Sequence, residues 1–129
     1  MHNFDEPGLS IITRNAVKGS HEDFVYWYET FQKKRPDVAL TMLTRRLRPT
    51  WSGILTRCNP ANAAFYPAYA GRGISVCERW LNGEDGKTGL ECFILDMGVK
   101  PDAKHSIDRI NVDGNYEPSN CRWATPEEQ

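Results

Sequence analysis

The sequence predicts an α+β fold in which helices outnumber strands. Two observations support this prediction. Apolar residues recur at helical spacing in several segments of the chain, the first being Phe24, Trp27, Tyr28 and Phe31. Near the C-terminus, two short apolar runs at residues 105–110 and 121–125 flank about ten residues rich in turn formers. That order is typical of two antiparallel strands joined by a long loop.

The length and composition of the chain limit the kinds of protein it can be. The 129 residues suffice for a compact domain with a small helical extension, and 40% hydrophobic with 26% charged residues is ordinary for a globular chain. No apolar run approaches the roughly 18–20 residues that span a bilayer, and no secretory signal pattern opens the chain. We therefore expect a cytoplasmic protein with a helical extension at residues 1–50 and a main domain at residues 51–129.

The charge balance argues against tight, non-specific DNA binding. The net charge is −1, whereas proteins that bind DNA without sequence preference are usually basic. Residues 1–50 hold eight basic and six acidic side chains, and residues 51–129 hold eight basic and eleven acidic ones. The C-terminal domain is therefore net negative, and part of its acidity is available for metal ligands and helix caps.

The four cysteines do not form a recognisable zinc motif. Cys58, Cys77, Cys92 and Cys121 include no C-x-x-C pair, which is the usual spacing of zinc ribbons. In an intracellular protein they stay reduced, and the simplest interpretation is four small buried hydrophobes. The alternative is a zinc site assembled from distant cysteines and His105, which the spacing does not support.

Residues 20–50 predict two helices. Ser20 caps the first, which ends before Pro36 because proline disfavours helix in the preceding residue. Asp37 is expected to cap the second, whose apolar residues are Leu40, Leu43 and Leu47. Its last turn holds a basic cluster of Arg45, Arg46 and Arg48, which suits the helix dipole. Packing, contact with a DNA backbone and binding of a protein partner remain open as roles for these helices.

Residues 51–98 predict two more helices and a short strand. Trp51, Ile54, Leu55 and Cys58 show helical spacing, and a capping box at Thr88 begins a helix that Gly98 ends. Between them, a turn around Arg72 precedes a strand over Ile74–Cys77. Arg72 is either structural or a phosphate contact, since the glycines on both sides let the backbone approach a partner closely.

The C-terminal segment predicts a strand, a long loop, a strand and a helix. Asp113-Gly114-Asn115 supplies turn residues, and Asn120 is placed to bridge backbone groups across the loop. Thr125 then caps a short helix, with proline at its first position and an acid three residues past the cap. This is the element order of a ββα-metal unit.

Several sequence blocks in residues 51–129 resemble the phage-associated HNH endonuclease families. The blocks, in order, are "RCNP", "YAGRGISVCERW", "DMG", "SIDRI", "DGNYEPSNCRWAT" and "EEQ". The resemblance implies a ββα-metal fold and a Mg²⁺ or Mn²⁺ ion that polarises a scissile phosphate while a base activates water. It also implies DNA as substrate.

The resemblance assigns roles to individual residues. Asp108 matches the metal-ligand position, and Asn120 matches the asparagine that stabilises the loop. Arg109 stands where a basic histidine usually sits; it cannot act as a base, although it can stabilise charge on phosphate. A rare-cutting restriction enzyme of this superfamily has a similar Asp-Arg pair with a loop tyrosine, which Tyr116 matches. A nearby metal ion and guanidinium would lower the pKa of Tyr116 and let it help activate water, and His105 is the other candidate base.

The last residue, Gln129, falls at or near the position that contacts metal from the helix. A carboxamide oxygen is a poor ligand beside carboxylate, and so short a helix is unstable unless it packs. Two functions therefore remain open. The first is a metal-dependent endonuclease or nickase of phage or mobile-element type. The second is an HNH scaffold without catalysis that binds DNA or a protein, for example a phage inhibitor of a host defence system. A zinc-stabilised structural domain is a third, weaker hypothesis.

Overall fold

The computed structural model describes residues 9–129, apart from the side chain of Ser10. The first eight residues, where the sequence shows no signal pattern, lie outside this range. The chain divides into two compact units, Met1–Leu47 and Arg48–Gln129. Helices and a two-stranded antiparallel sheet are both present, so the α+β class is confirmed at that level.

The first unit contains helices α1 (Leu9–Lys18) and α2 (His21–Lys34) and the beginning of α3 (Pro36–Cys58). Sequence periodicity did not reveal α1, because its buried positions include a polar Thr13 and a small Ala16 beside Leu9. These three residues nevertheless follow helical spacing.

Helix α2 matches the prediction in its cap and in its end. The Ser20 side chain accepts a hydrogen bond from the backbone N–H of Asp23 at 3.1 Å, and the helix ends at Lys34. Phe24 is buried, and two ring pairs stack along the helix at 5.8 Å between centroids: Phe24 with Tyr28, and Trp27 with Phe31.

Helix α3 replaces two separately predicted helices. It begins with Pro36 in its first turn rather than at a cap on Asp37, because the fixed φ of proline already suits that turn. It continues through Pro49, where one backbone hydrogen bond is lost. Its buried residues keep helical spacing on both sides of that proline, which explains its continuity; they are Val38, Ala39, Met42, Leu43, Leu47, Ile54 and Cys58. Leu40, in contrast, is exposed.

The core of the second unit forms around α4 (Glu78–Asn82) and α5 (Gly89–Met97). Trp80 and Phe93 are fully buried and meet edge to face, with ring centroids 4.9 Å apart. The Trp80 indole donates to Asp96 Oδ2 at 2.6 Å, and its backbone carbonyl accepts from the indole of Trp51 at 2.8 Å. The predicted capping box at Thr88 is present and begins α5.

The sheet pairs β1 (Ser106–Arg109) with β2 (Cys121–Ala124). Ser106 lies opposite Ala124 and Asp108 lies opposite Arg122. The indole of Trp123 donates to the carbonyl of Met97 at 2.9 Å, which fixes the hairpin to the end of α5.

Two further predicted elements, in the second unit, differ from the structure. The strand over Ile74–Cys77 is reduced to a single parallel bridge between Val76 and Tyr116, because its partner is a loop and α4 begins directly after it. The helix predicted from Thr125 is absent from residues 125–129, which form one turn. Glu128 accepts hydrogen bonds from the N–H and hydroxyl of Thr125, so the predicted cap contact is present. Forming the first turn of a helix is unfavourable, and a single turn adds no further hydrogen bonds that would offset this cost.

Two leucines of α5 provide a matched test of the core. Leu90 is 5% exposed and Leu95 is 57% exposed. We expect Leu90→Ala to lower the free energy of unfolding by about 2–5 kcal/mol and Leu95→Ala by less than about 0.5 kcal/mol. Urea unfolding followed by fluorescence measures both, and equal effects would show that α5 packs through a different face.

Candidate functional site

The loop between the two strands is held by the amide of Asn120. Its Oδ1 accepts from the backbone N–H of Asn111 at 2.9 Å, and its Nδ2 donates to the carbonyls of Asn111 and Asn115 at 3.1 and 2.9 Å. Asn120 is 9% exposed, so these bonds are largely shielded from water. The side chain thus joins the start of β2 to both ends of the turn.

The loop is also bound to the segment before α4. The backbone of Tyr116 donates to the carbonyl of Ser75 and accepts from the N–H of Cys77, both at 2.9 Å. The Asn115 side chain accepts from the N–H of Ser75 at 2.9 Å. These three bonds fix the position of the loop in the second unit.

Asp108 lies on one face of the hairpin and is paired with a cation. Its Oδ2 accepts from Nε of Arg122, its cross-strand neighbour, at 3.0 Å, and its side chain is 16% exposed. Arg122 also donates to the carbonyl of Glu128 at 3.0 Å. On the same face Gln129 donates to the hydroxyl of Ser106 at 2.8 Å. The terminal turn therefore covers the face that carries Asp108.

His105 precedes β1 and lies between two carboxylates. Its Nδ1 is 2.8 Å from Oδ1 of Asp102, and its Nε2 is 3.9 Å from Oε1 of Glu128. The hydrogen bond with His105 holds the pKa of Asp102 below its usual value, so this carboxylate stays ionised at neutral pH. An ionised carboxylate can only accept, which makes Nδ1 the donor and leaves Nε2 as the basic nitrogen.

Arg109 lies on the other face of the hairpin. Its Nη1 donates to the carbonyls of Val112 and Gly114 at 2.7 and 2.9 Å. Its guanidinium carbon lies 5.2 Å from the ring centroid of Tyr116 and 5.3 Å from that of Tyr69. Successive residues of a strand point to opposite faces, which explains why Arg109 and Asp108 contact different groups.

Tyr116 is buried, with 4% exposure, and its pKa moves in the direction opposite to the one predicted. Burial raises the pKa of this phenol, and a hydrogen bond with Arg57 and the charges of Arg57 and Arg109 offset only part of that effect. Tyr116 is therefore a neutral phenol at neutral pH. The predicted lowering rested on a nearby metal ion and guanidinium, whereas burial, which could not be read from "NYEPSN", acts in the opposite direction.

The other arginines singled out from the sequence divide into those that bond to described parts of the chain and those that do not. Arg72 forms an ion pair with Asp113 and shares the carbonyl of Val112 with Arg109. Arg46 donates to the carbonyls of Val17 and Gly19 at 2.6 and 2.9 Å.

Arg46 also lies 5.2 Å from the ring of Phe24. Arg45 and Arg48 are exposed. This basic cluster is predicted from the sequence to lie in the last turn of a helix. Because α3 continues to Cys58, the cluster lies inside the helix instead.

Sequence reasoning assigned no role to Arg57. It lies one position before Cys58 in "RCNP", a block that was noted only for its resemblance. Its guanidinium carbon is 5.2 Å from the ring of Tyr69, and its Nε is buried without a hydrogen-bond partner in the described chain. No helical or strand pattern marks such a residue, since the contact comes from tertiary structure.

Metal-ligating side chains are dispersed. Within residues 9–129, no three His, Cys, Asp or Glu side chains lie close enough together to hold a metal ion. All four cysteines are free; Cys58, Cys92 and Cys121 are buried and Cys77 is half-buried. None of the described helices is long and apolar enough to cross a membrane.

No protein-family model matches the chain, and neither the curated proteins nor the solved structures contain a detectable relative.

We expect Tyr116 to titrate above the ordinary tyrosine pKa of about 10. Absorbance near 295 nm, recorded against pH for the native protein and for Tyr116→Phe, isolates this phenol by difference. Tyr26→Phe, which removes an exposed ring, is the control. A difference curve for Tyr116 with its midpoint below 10 would contradict the burial argument.

We expect Asn120→Ala to destabilise the second unit by about 2–4 kcal/mol, because three net hydrogen bonds of about 0.5–1.5 kcal/mol each are lost. Asn82→Ala, which removes one exposed side-chain bond to Glu78, should cost less than about 0.5 kcal/mol. Urea unfolding provides the measurement. Equal stabilities of the two variants would exclude a role for Asn120 in holding the loop.

Proposed function

We propose that this chain is a metal-dependent endonuclease or nickase that hydrolyses phosphodiester bonds in DNA. The observation that supports it is the pairing of His105 with Asp102 beside the hairpin face that carries Asp108. Glu128 links His105 to Asp108. Its carboxylate lies 3.9 Å from Nε2 of His105. Its backbone carbonyl accepts a hydrogen bond from Arg122, whose side chain forms the ion pair with Asp108.

In this proposal His105 is the general base. Asp102 orients the imidazole through Nδ1, and Nε2 accepts the proton of a water molecule as its oxygen attacks phosphorus. The bond between phosphorus and the leaving sugar oxygen then breaks, and that oxygen takes a proton from solvent. Tyr116 and Arg109 are not assigned to this step, because both contact the opposite side of the hairpin.

The donor set on this face fits a Mg²⁺-type ion that is shared with substrate. Asp108 supplies one carboxylate, and Oε1 of Gln129 makes no hydrogen bond within the described part of the chain. Mg²⁺ is commonly held by one or two carboxylates, water and substrate phosphates, so a full protein cage is not required. When bound, the ion would polarise the scissile phosphate. Arg122 competes for Asp108 and must release it.

A second function is supported by the same ion pair. Arg122 already neutralises Asp108, and Tyr116 is buried and neutral. A protein that only binds DNA or another protein, such as a phage inhibitor of host defence, would need neither Asp108 nor Tyr116 for catalysis. This alternative predicts that cleavage is absent while binding remains.

Nicking of supercoiled plasmid with Mg²⁺ or Mn²⁺ tests the proposed reaction. We expect Asp108→Asn to abolish nicking and His105→Ala to slow it by about 10²–10⁴-fold, the usual contribution of a general base. Glu127→Gln, an exposed acid in the same terminal turn, is the matched control and should nick at the native rate. Native-level nicking by Asp108→Asn would exclude this mechanism, and absence of nicking by the native chain would favour the binding protein.

We also expect Arg122→Gln to bind Mn²⁺ more tightly, by up to about fivefold, because an exposed ion pair is worth about 0.2–1 kcal/mol. Titration of free Mn²⁺ by paramagnetic resonance, without DNA, measures this affinity. The double variant with Asp108→Asn should lose the gain. An unchanged affinity in Arg122→Gln would show that Asp108 is not the ligand.

A further inference from the structure

Two arginines from distant parts of the chain meet at one tyrosine ring. Arg57 comes from α3 and Arg109 from the end of β1, and their guanidinium carbons lie 5.2 and 5.3 Å from the ring centroid of Tyr69. The ring of Tyr116 stacks on Tyr69 with centroids 6.5 Å apart and contacts Arg109 as well. We call Arg57, Tyr69, Arg109 and Tyr116 the arginine–tyrosine cluster.

The positive charges of this cluster have no ion-pair partner in the part of the chain that the structure describes. Neither Arg57 nor Arg109 forms an ion pair within residues 9–129, and the bonds of Arg109 go to two neutral carbonyls. Burial raises the pKa values of the Cys58 thiol and the Tyr116 phenol, so both groups stay neutral near the cluster at neutral pH. Two guanidinium groups thus lie at one tyrosine ring without an ion pair to any described residue.

The cluster also contains an unused donor. Nε of Arg57 is shielded from solvent yet has no hydrogen-bond partner in the described chain. A buried N–H without an acceptor is unfavourable, and a bound water, ion or ligand group that accepts from it would remove that cost. Arg109 likewise donates through Nη1 alone, which leaves its Nε and Nη2 without bonds to the residues described here.

We infer that the arginine–tyrosine cluster binds a phosphate group. The planar fork of guanidinium matches phosphate oxygens in a bidentate manner, and two such forks would neutralise the group's charge. Arg72 lies beside the cluster, since it shares the carbonyl of Val112 with Arg109. Its side chain is 42% exposed and is paired with Asp113.

The proposed phosphate site is separate from the proposed catalytic face. Arg109 and Asp108 contact groups on opposite sides of the hairpin. The inference rests on the proposed endonuclease function only for the choice of a nucleic-acid backbone as the source of the phosphate. Inorganic phosphate offers the same chemistry, and the two sources can be distinguished by experiment.

The test measures binding of a labelled DNA duplex by fluorescence anisotropy over a range of salt concentrations, with a chelator present to prevent cleavage. We expect Arg57→Gln to weaken binding at least fivefold at low salt and to reduce the slope of log affinity against log salt by about one, as loss of one phosphate contact requires. Arg57→Lys should keep the slope, since it keeps the charge, but bind more weakly because the fork is lost. Arg14→Gln, an exposed arginine of α1, should behave as the native chain.

A second measurement does not depend on the folding of any variant. Inorganic phosphate is added to the native protein, and the Nε–Hε signals of Arg57 and Arg109 are followed by NMR. Saturable shifts of both signals support the site. Phosphate binding without DNA binding would assign a free phosphate as its ligand.

The inference is overturned if the native chain binds neither DNA nor inorganic phosphate, or if Arg57→Gln binds both as the native chain does. It stands if the native chain fails to nick plasmid yet shows Arg57-dependent binding, and in that case only the proposed catalytic function fails.

Discussion

The amide of Asn120 is the contact on which the C-terminal unit depends. It is the side chain that bonds both to Asn111, just after β1, and to Asn115, further along the loop. Because those bonds set the path of residues 111–115, they also place the carbonyls that accept from Arg109 and the backbone that bonds to residues 75–77. A loop of this length would otherwise sample many conformations, and the hydrogen bonds of one buried amide offset part of the backbone entropy that is lost when it is ordered.

Strand geometry then divides the Asp-Arg pair between two environments. Asp108 faces the terminal turn, where Arg122 and the carbonyl of Glu128 form a polar layer. Arg109 faces tyrosine rings and loop carbonyls. The hairpin therefore presents the carboxylate of Asp108 on one side and the guanidinium of Arg109 on the other. The two side chains are connected only through the backbone, so a substrate would have to contact both sides of the hairpin to bind both.

Local signals in the sequence predicted those parts of the fold that depend on neighbouring residues. The caps at Ser20 and Thr88 and the two C-terminal strands belong to this class, because their hydrogen bonds span few residues or follow a clear alternation. The continuation of α3 through Pro49 was missed, since burial on both sides outweighs one lost hydrogen bond. In the candidate site, the resemblance assigned Asp108 to the metal-ligand position, which stays a prediction. The contacts of Arg57 join residues far apart in the chain, and no local pattern encodes them.

The division of Asp108 from Arg109 has a consequence for how such a hairpin evolves. Residues that share a catalytic centre constrain one another, so a change at one usually requires a compensating change at the other. Here adjacent codons specify side chains with different neighbours, and selection can act on each of them separately. A substitution at position 109 would then leave Asp108 and its ion pair with Arg122 under their own selection. A change in the contacts of one side chain therefore needs no compensating change in those of the other.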